Sequence, residues 1–535
     1  MYNLKKTLTL SSNETKLWLC SLASLFLCFL PLIFNFVWGN HDWLPIKHGA
    51  SLTSGIIEGR FSQFLFLWIF LDSHILPILN TILGFSIYTL TLTLLATRFF
   101  EFKTTSFLSI IILILTATLP YINEITYFQF IIFSQLFWYF TIFLALMFGK
   151  KATQSSPFIN TFLSTIFLFI SIGGYPASAN LFVTSVILYL TKDYSSNPSL
   201  KAPLLKAIPF IINIIISFGA IYFIYKYFQD NNKMLKLYNN ETITLTELIL
   251  KIPSTFLIYI KSQLTPQPFF SLLFKLLSFC IFFSFFTFYI KQNSSPKDLI
   301  TRILFCIATI IGLKFSTLLT KETADSYFFE NDPITHMVRA DFYSIPTFML
   351  FCLFFITNQT SKKSIHNLIF LTSIILIFSN INSNFTYSKT QILGFKAETN
   401  LLERTTSRIE NSPLFSPETL YTLVQADEIS LRPRYYQQSN YEKYGLYTLH
   451  TPFTRYWLGH ESYNFYSPKT FIKSGSAISP KNITPEMITF LSQNIQSWPS
   501  KYSVYVNYIY AIIAQTHKGK NMLQEQFKLI PRELL

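Results

Sequence analysis

The chain has 535 residues, of which 50% are hydrophobic and only 13% charged. A soluble domain carries roughly 25% charged residues, so an ordinary globular protein is excluded. The net charge of +15 would suit a nucleic-acid partner, but Lys and Arg stand in short clusters between apolar runs, the pattern of positive-inside topology, and nucleic acid is set aside.

In chain order, the first apolar run, Leu17 to Trp38, follows Lys5, Lys6 and Lys16. It exceeds the roughly 7–15 residues of a signal-peptide core and has no A-x-A-like cleavage site, so it reads as a first transmembrane helix. A helical span needs about 20 apolar residues, and hydropathy gives about eleven of them. Their centres lie near Ser24, Ser86, Leu113, Leu136, Ile166, Thr184, Ile214, Phe279, Ala308, Met349 and Ile374. The stretch Phe61 to Leu71 is too short to cross and reads as an interfacial or re-entrant helix. Gly173-Gly174-Tyr175-Pro176 interrupts one pair of spans, either as a break within the membrane or as an outer turn.

With the N-terminus in the cytoplasm, the inside loops carry Arg98, Lys103, Lys150, Lys151, Lys192, Lys201, Lys206, Lys291, Lys297, Arg302, Lys362 and Lys363. The acids Asp42, Glu58, Glu124, Glu322, Asp325, Glu330, Asp332 and Asp341 fall in the opposite loops. After Phe378 the character changes. The expectation is an all-α polytopic membrane domain over 1–381, followed by a soluble, mixed α/β extracytoplasmic domain over 382–535. Within that tail Phe395 to Ile409 reads as a charged helix, whereas periodicity leaves Val504 to Ala514 open between strand and helix. All five cysteines lie in apolar runs, with no disulfide or zinc spacing.

The candidate chemistry is in the outer loops. Asp42 directly follows the first span, at the membrane surface, where a carboxylate could act as general base toward a sugar hydroxyl. Arg60 could hold a phosphate through paired charge-assisted hydrogen bonds, with Glu58 orienting it or binding hydroxyls. Against this stands the plain reading of Asp42-Trp43 as an interfacial anchor with a solvated charge. Glu124, in a very short loop, either assists the first acid or caps the next helix. Arg339 opens a span at the outer face, against the charge bias, and Lys314 lies in the outer half of its own. Such cations take a phosphate or an acid as partner, or snorkel to the interface. His41, His48, His74 and His336 form no ligand constellation that would indicate a divalent metal, and no phosphate-binding G-x-x-x-x-G-K-[ST] loop occurs.

These pieces resemble a known group. His41-Asp42-Trp43, Glu58-Gly59-Arg60, Arg339 before the penultimate span, and the charged stretch from Lys396-Ala397-Glu398 to Arg408-Ile409-Glu410 are similar to the GtrII-like O-antigen glucosyltransferases of the GT-C superfamily. Many such enzymes carry two adjacent acids in the first loop, and here the first of that pair is His41. The resemblance implies a GT-C-like fold in the cell inner membrane, with sugar passing from a polyprenyl-phosphate donor to a glycan or lipid acceptor on the extracytoplasmic side. It implies Asp42 alone as the catalytic base, with Glu58 or Glu124 as its assistant, and Arg60, Lys314 and Arg339 as holders of the donor phosphate. The rival readings are a flippase or transporter of lipid-linked sugar, which would favour broken helices at mid-membrane, and a scaffold whose Tyr-rich tail binds a partner.

Overall fold

A computed structural model describes residues 9–35, 61–71, 77–126, 132–231, 253, 272–293, 295–318, 341–415, 420–424, 462–465, 484–497, 500–506, 510–514 and 517–528. These residues fall into two compact units, one reaching to Ser388 and the other taken up again at Lys389.

The first unit is a helical bundle. Its elements are α1 (Ser12–Phe34), α2 (Phe61–Leu71), α3 (Pro77–Leu94), α4 (Phe107–Ala117), α5 (Asn123–Thr126), α6 (Ile132–Ala152), α7 (Pro157–Gly174), α8 (Ala179–Ser196), α9 (Lys201–Asn231), α10 (Leu272–Lys291), α11 (Pro296–Leu313), α12 (Phe315–Leu318), α13 (Ile345–Gln359) and the start of α14 (Lys363–Glu410). Every one of the eleven expected centres falls inside a helix. By length and apolarity, however, only seven helices among the described residues qualify as candidate spans. The other four are α4, α8, α11 and α13. The apolar helices α4 and α13 are short, and both are packed mostly within protein, so neither needs the full apolar length that lipid demands. α11 carries Lys297, Asp298 and Arg302, and α8 ends in Lys192-Asp193.

α6 is the central helix and packs on α3, α7 and α8. Close approach there depends on glycine. A Cβ on Gly174 would run into the indole of Trp138 in α6, and one on Gly173 into the ring of Phe61 at the head of α2. α7 ends at these two glycines, Tyr175 is extended, and Pro176 opens a single 3₁₀ turn leading to α8. The conspicuous break in the sequence is thus a turn between two helices. α2 is a short helix, packed on α7 through Phe61 and Phe169 and on α6 through Phe66 and Trp138, with Trp68 and Ile69 exposed.

One end of the bundle collects the basic clusters. α3 closes in a π turn (Leu95–Phe99) whose Arg98 is paired with Glu14 of α1 through Nε–Oε1 at 2.7 Å and Nη2–Oε2 at 2.8 Å. The ammonium of Lys150 donates to the carbonyls of Phe99 (2.9 Å) and Arg98 (3.2 Å) and to Glu101, while Lys192 donates to the carbonyl of Phe100. Two lysines from separate helices thus cap one helix end, where backbone carbonyls run out of partners and the dipole favours cations. Lys206 pairs with Asp193, and Arg302 with Asp298 one turn earlier in α11.

The second unit contains the end of α14, which carries the expected charged helix, and a four-stranded sheet. The strands are β1 (Leu420–Val424), β2 (Ser462–Phe465), β3 (Val504–Val506) and β4 (Tyr510–Ala514), in the order β2-β1-β4-β3. β1 is parallel to both neighbours, and β3 is antiparallel to β4. Val504 to Ala514, which periodicity left open, is therefore a pair of strands. Ile409 of α14 is buried with Phe415, Val504 and Val506 around it, and Arg408 Nη1 donates to the carbonyl of Ser500 at 2.6 Å.

Candidate functional site

Opposite the basic end, the bundle contains a layer of buried polar and tyrosyl side chains. It begins at Lys314, the residue that ends α11. The ammonium of Lys314 is bonded to the carboxylate of Asp341, and the two side chains are 0% and 1% exposed. Three residues on, Ser344 Oγ donates to the carbonyl of Leu313 at 3.0 Å, so the lead into α13 is tied twice to the end of α11.

Between those ties, Phe342 and Tyr343 reach α6. Tyr139 donates its hydroxyl to the Phe342 carbonyl, and the Tyr343 hydroxyl lies 2.6 Å from Gln135 Oε1 and 2.9 Å from the Gln135 carbonyl. Gln135 Nε2 in turn donates to Gln63 Oε1 of α2 at 3.1 Å. The rings of Tyr139 and Tyr343 stack at 5.3 Å, with Tyr88 edge-on to Tyr139 and Tyr175 tilted against Tyr343. Asn180, near the start of α8, accepts from the backbone N–H of Ser316 at 2.6 Å. Asn80 and Asn123 are fully buried, and among the described residues neither end of either amide has a partner; the same holds for Trp138 Nε1. A buried polar group left unmatched costs about 1–3 kcal/mol, so groups of this kind ask for a ligand or water. Neutral amides and hydroxyls beside aromatic faces are the chemistry that recognises a sugar ring.

Of the expected site residues, Asp42, Glu58, Arg60 and Arg339 lie outside the described residues. Glu124 sits in the four-residue α5, directly after Asn123, and its side chain is outside the description. Lys314 is described, and of the partners open to it, phosphate or acid, it has an acid. Gln63 follows Arg60 by three positions, and Tyr343 follows Arg339 by four. Those two residues meet through Gln135 in the same layer that Asp341 joins to Lys314. Among the described residues no three His, Cys, Asp or Glu side chains gather as metal ligands.

The neutral members of the layer, Gln63, Gln135, Tyr139 and Tyr343, and the buried amides Asn80 and Asn123 escaped the sequence reading. Their one signal is an amide or hydroxyl placed where an apolar helix would otherwise carry Leu or Phe, which is weak beside an intramembrane charge.

A family model described as Glucosyl transferase GtrII matches residues 46–329, more than half of the chain. That stretch takes in Glu58, Arg60, Glu124 and Lys314, whereas Asp42 and Arg339 fall outside it. No curated protein matches the chain.

Proposed function

The chain belongs to the GtrII glucosyl transferase family, and from that premise we propose that it moves a sugar from a polyprenyl-phosphate donor to a cell-envelope glycan or lipid on the extracytoplasmic face. The family match carries this reading, and glucose is the sugar its description names. With the N-terminus in the cytoplasm, an odd number of crossings, eleven in this reading, puts the tail outside. The gathering of Arg98, Lys150, Lys192 and Arg302 at one end supports that orientation, because positive charge is retained on the cytoplasmic side. Nucleotide sugars are cytoplasmic, so a site on the far side must draw on a lipid-linked donor.

In this mechanism Asp42 takes the proton from the acceptor hydroxyl as its oxygen attacks the anomeric carbon. The bond from that carbon to the phosphate oxygen breaks, the phosphate leaves with the electron pair, and configuration inverts. Arg60 and Arg339 hold the departing charge. Glu58 orients Arg60, and Glu124 assists with the sugar hydroxyls. Lys314 enters as a cation held ready by Asp341, and it reaches the donor when phosphate replaces the carboxylate.

The test is to incubate the purified protein with labelled polyprenyl-phosphate glucose and envelope glycan. Label is expected in the glycan; donor that crosses the bilayer chemically unchanged would instead mark a flippase. Orientation has its own check. Reporter fusions after Ser155, in the exposed turn beyond α6, and after Asn411, beyond α14, are expected on opposite sides, cytoplasmic and extracytoplasmic in that order. Both in the cytoplasm would overturn the topology.

A further inference from the structure

A second site lies at the basic end, away from the tyrosine layer. A cavity of about 370 Å³ opens between α4, the end of α13 and the start of α14. Its polar lining includes Lys103, Ser106, Ser109 and His366, and its apolar lining Ile112 and Phe370. α13 separates the two sites. Ser344, which precedes it, belongs to the polar layer, and Asn358 near its end lines the cavity. At 1.5 Å per residue, the 14 positions from Ser344 to Asn358 place them about 21 Å apart.

The polar wall has unused hydrogen-bonding groups. The backbone N–H of Lys103 is held by Asn358 Oδ1 at 3.0 Å, which fixes the residue, while its exposed ammonium has no acid partner among the described residues. His366 Nε2 faces two carbonyls, Thr360 at 2.9 Å and Thr357 at 3.2 Å, so Nε2 carries the proton and Nδ1 is left uncommitted. Ser106 and Ser109 share one hydrogen bond at 3.1 Å, which uses one of their two hydroxyl protons and leaves the other. Ser106 precedes α4 without capping it. The two helices beside the cavity carry lipid-type surface: Phe107 of α4, whose ring lies 6.3 Å from that of Phe370, is exposed, as are Leu368 and Leu371 of α14.

An unpaired cation and free hydroxyl at the mouth, over an apolar floor opening to an apolar flank, match a phospholipid: phosphate at the mouth, acyl chain along the groove. We propose that this cavity seats the phosphate of an anionic phospholipid headgroup, with Lys103 as its cation, Ser106 or Ser109 as its hydroxyl donor, and His366 Nδ1 accepting from a hydroxyl of the headgroup. The seat is distinct from the donor site and does not depend on it.

The experiment is native mass spectrometry on the full chain in detergent, with phosphatidylglycerol, phosphatidylcholine or inorganic phosphate added. The wild type should retain phosphatidylglycerol over phosphatidylcholine. Lys103→Gln should cut that preference about fivefold, the worth of one basic residue at a lipid surface. His366→Gln should weaken it as well, and Lys501→Gln in the second unit should leave it unchanged. Equal retention of the two lipids, a preference that survives Lys103→Gln, or binding of inorganic phosphate without any lipid preference would each overturn the proposal. None of these outcomes bears on sugar transfer.

Discussion

Replacing Asp42 by Asn is expected to lower sugar transfer about a hundred- to ten-thousand-fold, the range that a positioned general base supplies. The substitution keeps shape and hydrogen bonding but removes the group that accepts the acceptor's proton. Insertion and yield should match the wild type, because a juxtamembrane carboxylate contributes little to topology. The measurement is the rate of label transfer from polyprenyl-phosphate glucose at saturating donor and acceptor. A loss in kcat with donor KM unchanged is the expected split, since Asp42 acts on the acceptor hydroxyl while Arg60 and Arg339 hold the donor. Transfer at the wild-type rate would remove Asp42 from the mechanism and leave Glu58 or Glu124 to be tested as the base.

The second large effect concerns the Lys314–Asp341 pair. Lys314→Met should destabilise the bundle by about 3–5 kcal/mol, because it leaves a carboxylate buried without its partner. Asp341→Leu should cost a similar amount by stranding the ammonium. The double variant, Lys314→Met with Asp341→Leu, should recover most of the loss, since a well-packed apolar pair of similar volume replaces a buried ion pair at little net cost. Thermal unfolding of the four proteins in detergent gives the coupling. The same set separates two roles for Lys314. If it only joins α11 to the lead of α13, the double variant regains both stability and transfer. If it also receives the donor phosphate, stability returns while donor KM stays raised.

How much the sequence disclosed follows from the physics of each element. Helical spans are legible because roughly 20 consecutive apolar residues have few other uses, and every hydropathy centre falls within a helix. The difference between about eleven spans and seven qualifying helices arises at α4 and α13, which are short and packed mostly within protein, and at α8 and α11, which carry charged residues at one end. Gly173 and Gly174 marked a break, and only the contacts of Phe61 and Trp138 show it to be a close-packed turn. Lys314 stood out because a cation in an apolar run is costly. Its partner did not, since Asp341 is 27 positions away and pairing at that distance leaves no trace in spacing. The tyrosine and amide layer was illegible for a related reason: Gln63, Gln135 and Tyr343 come from three separate segments, and each alone is an ordinary polar residue in an apolar stretch.

The sheet of the second unit has a consequence for biosynthesis. Its middle is built from β1 and β4, with Leu420 opposite Tyr510 and Val424 opposite Ala514. β1 is made early, yet both strands that flank it, β2 and β4, are made later, β4 after a long intervening stretch. The sheet therefore cannot begin to close while the chain is short, and its pairing is among the slow, non-local kind. Until Tyr510–Ala514 leaves the ribosome, β1 has one edge with no strand to meet, a surface that invites wrong pairing or a chaperone.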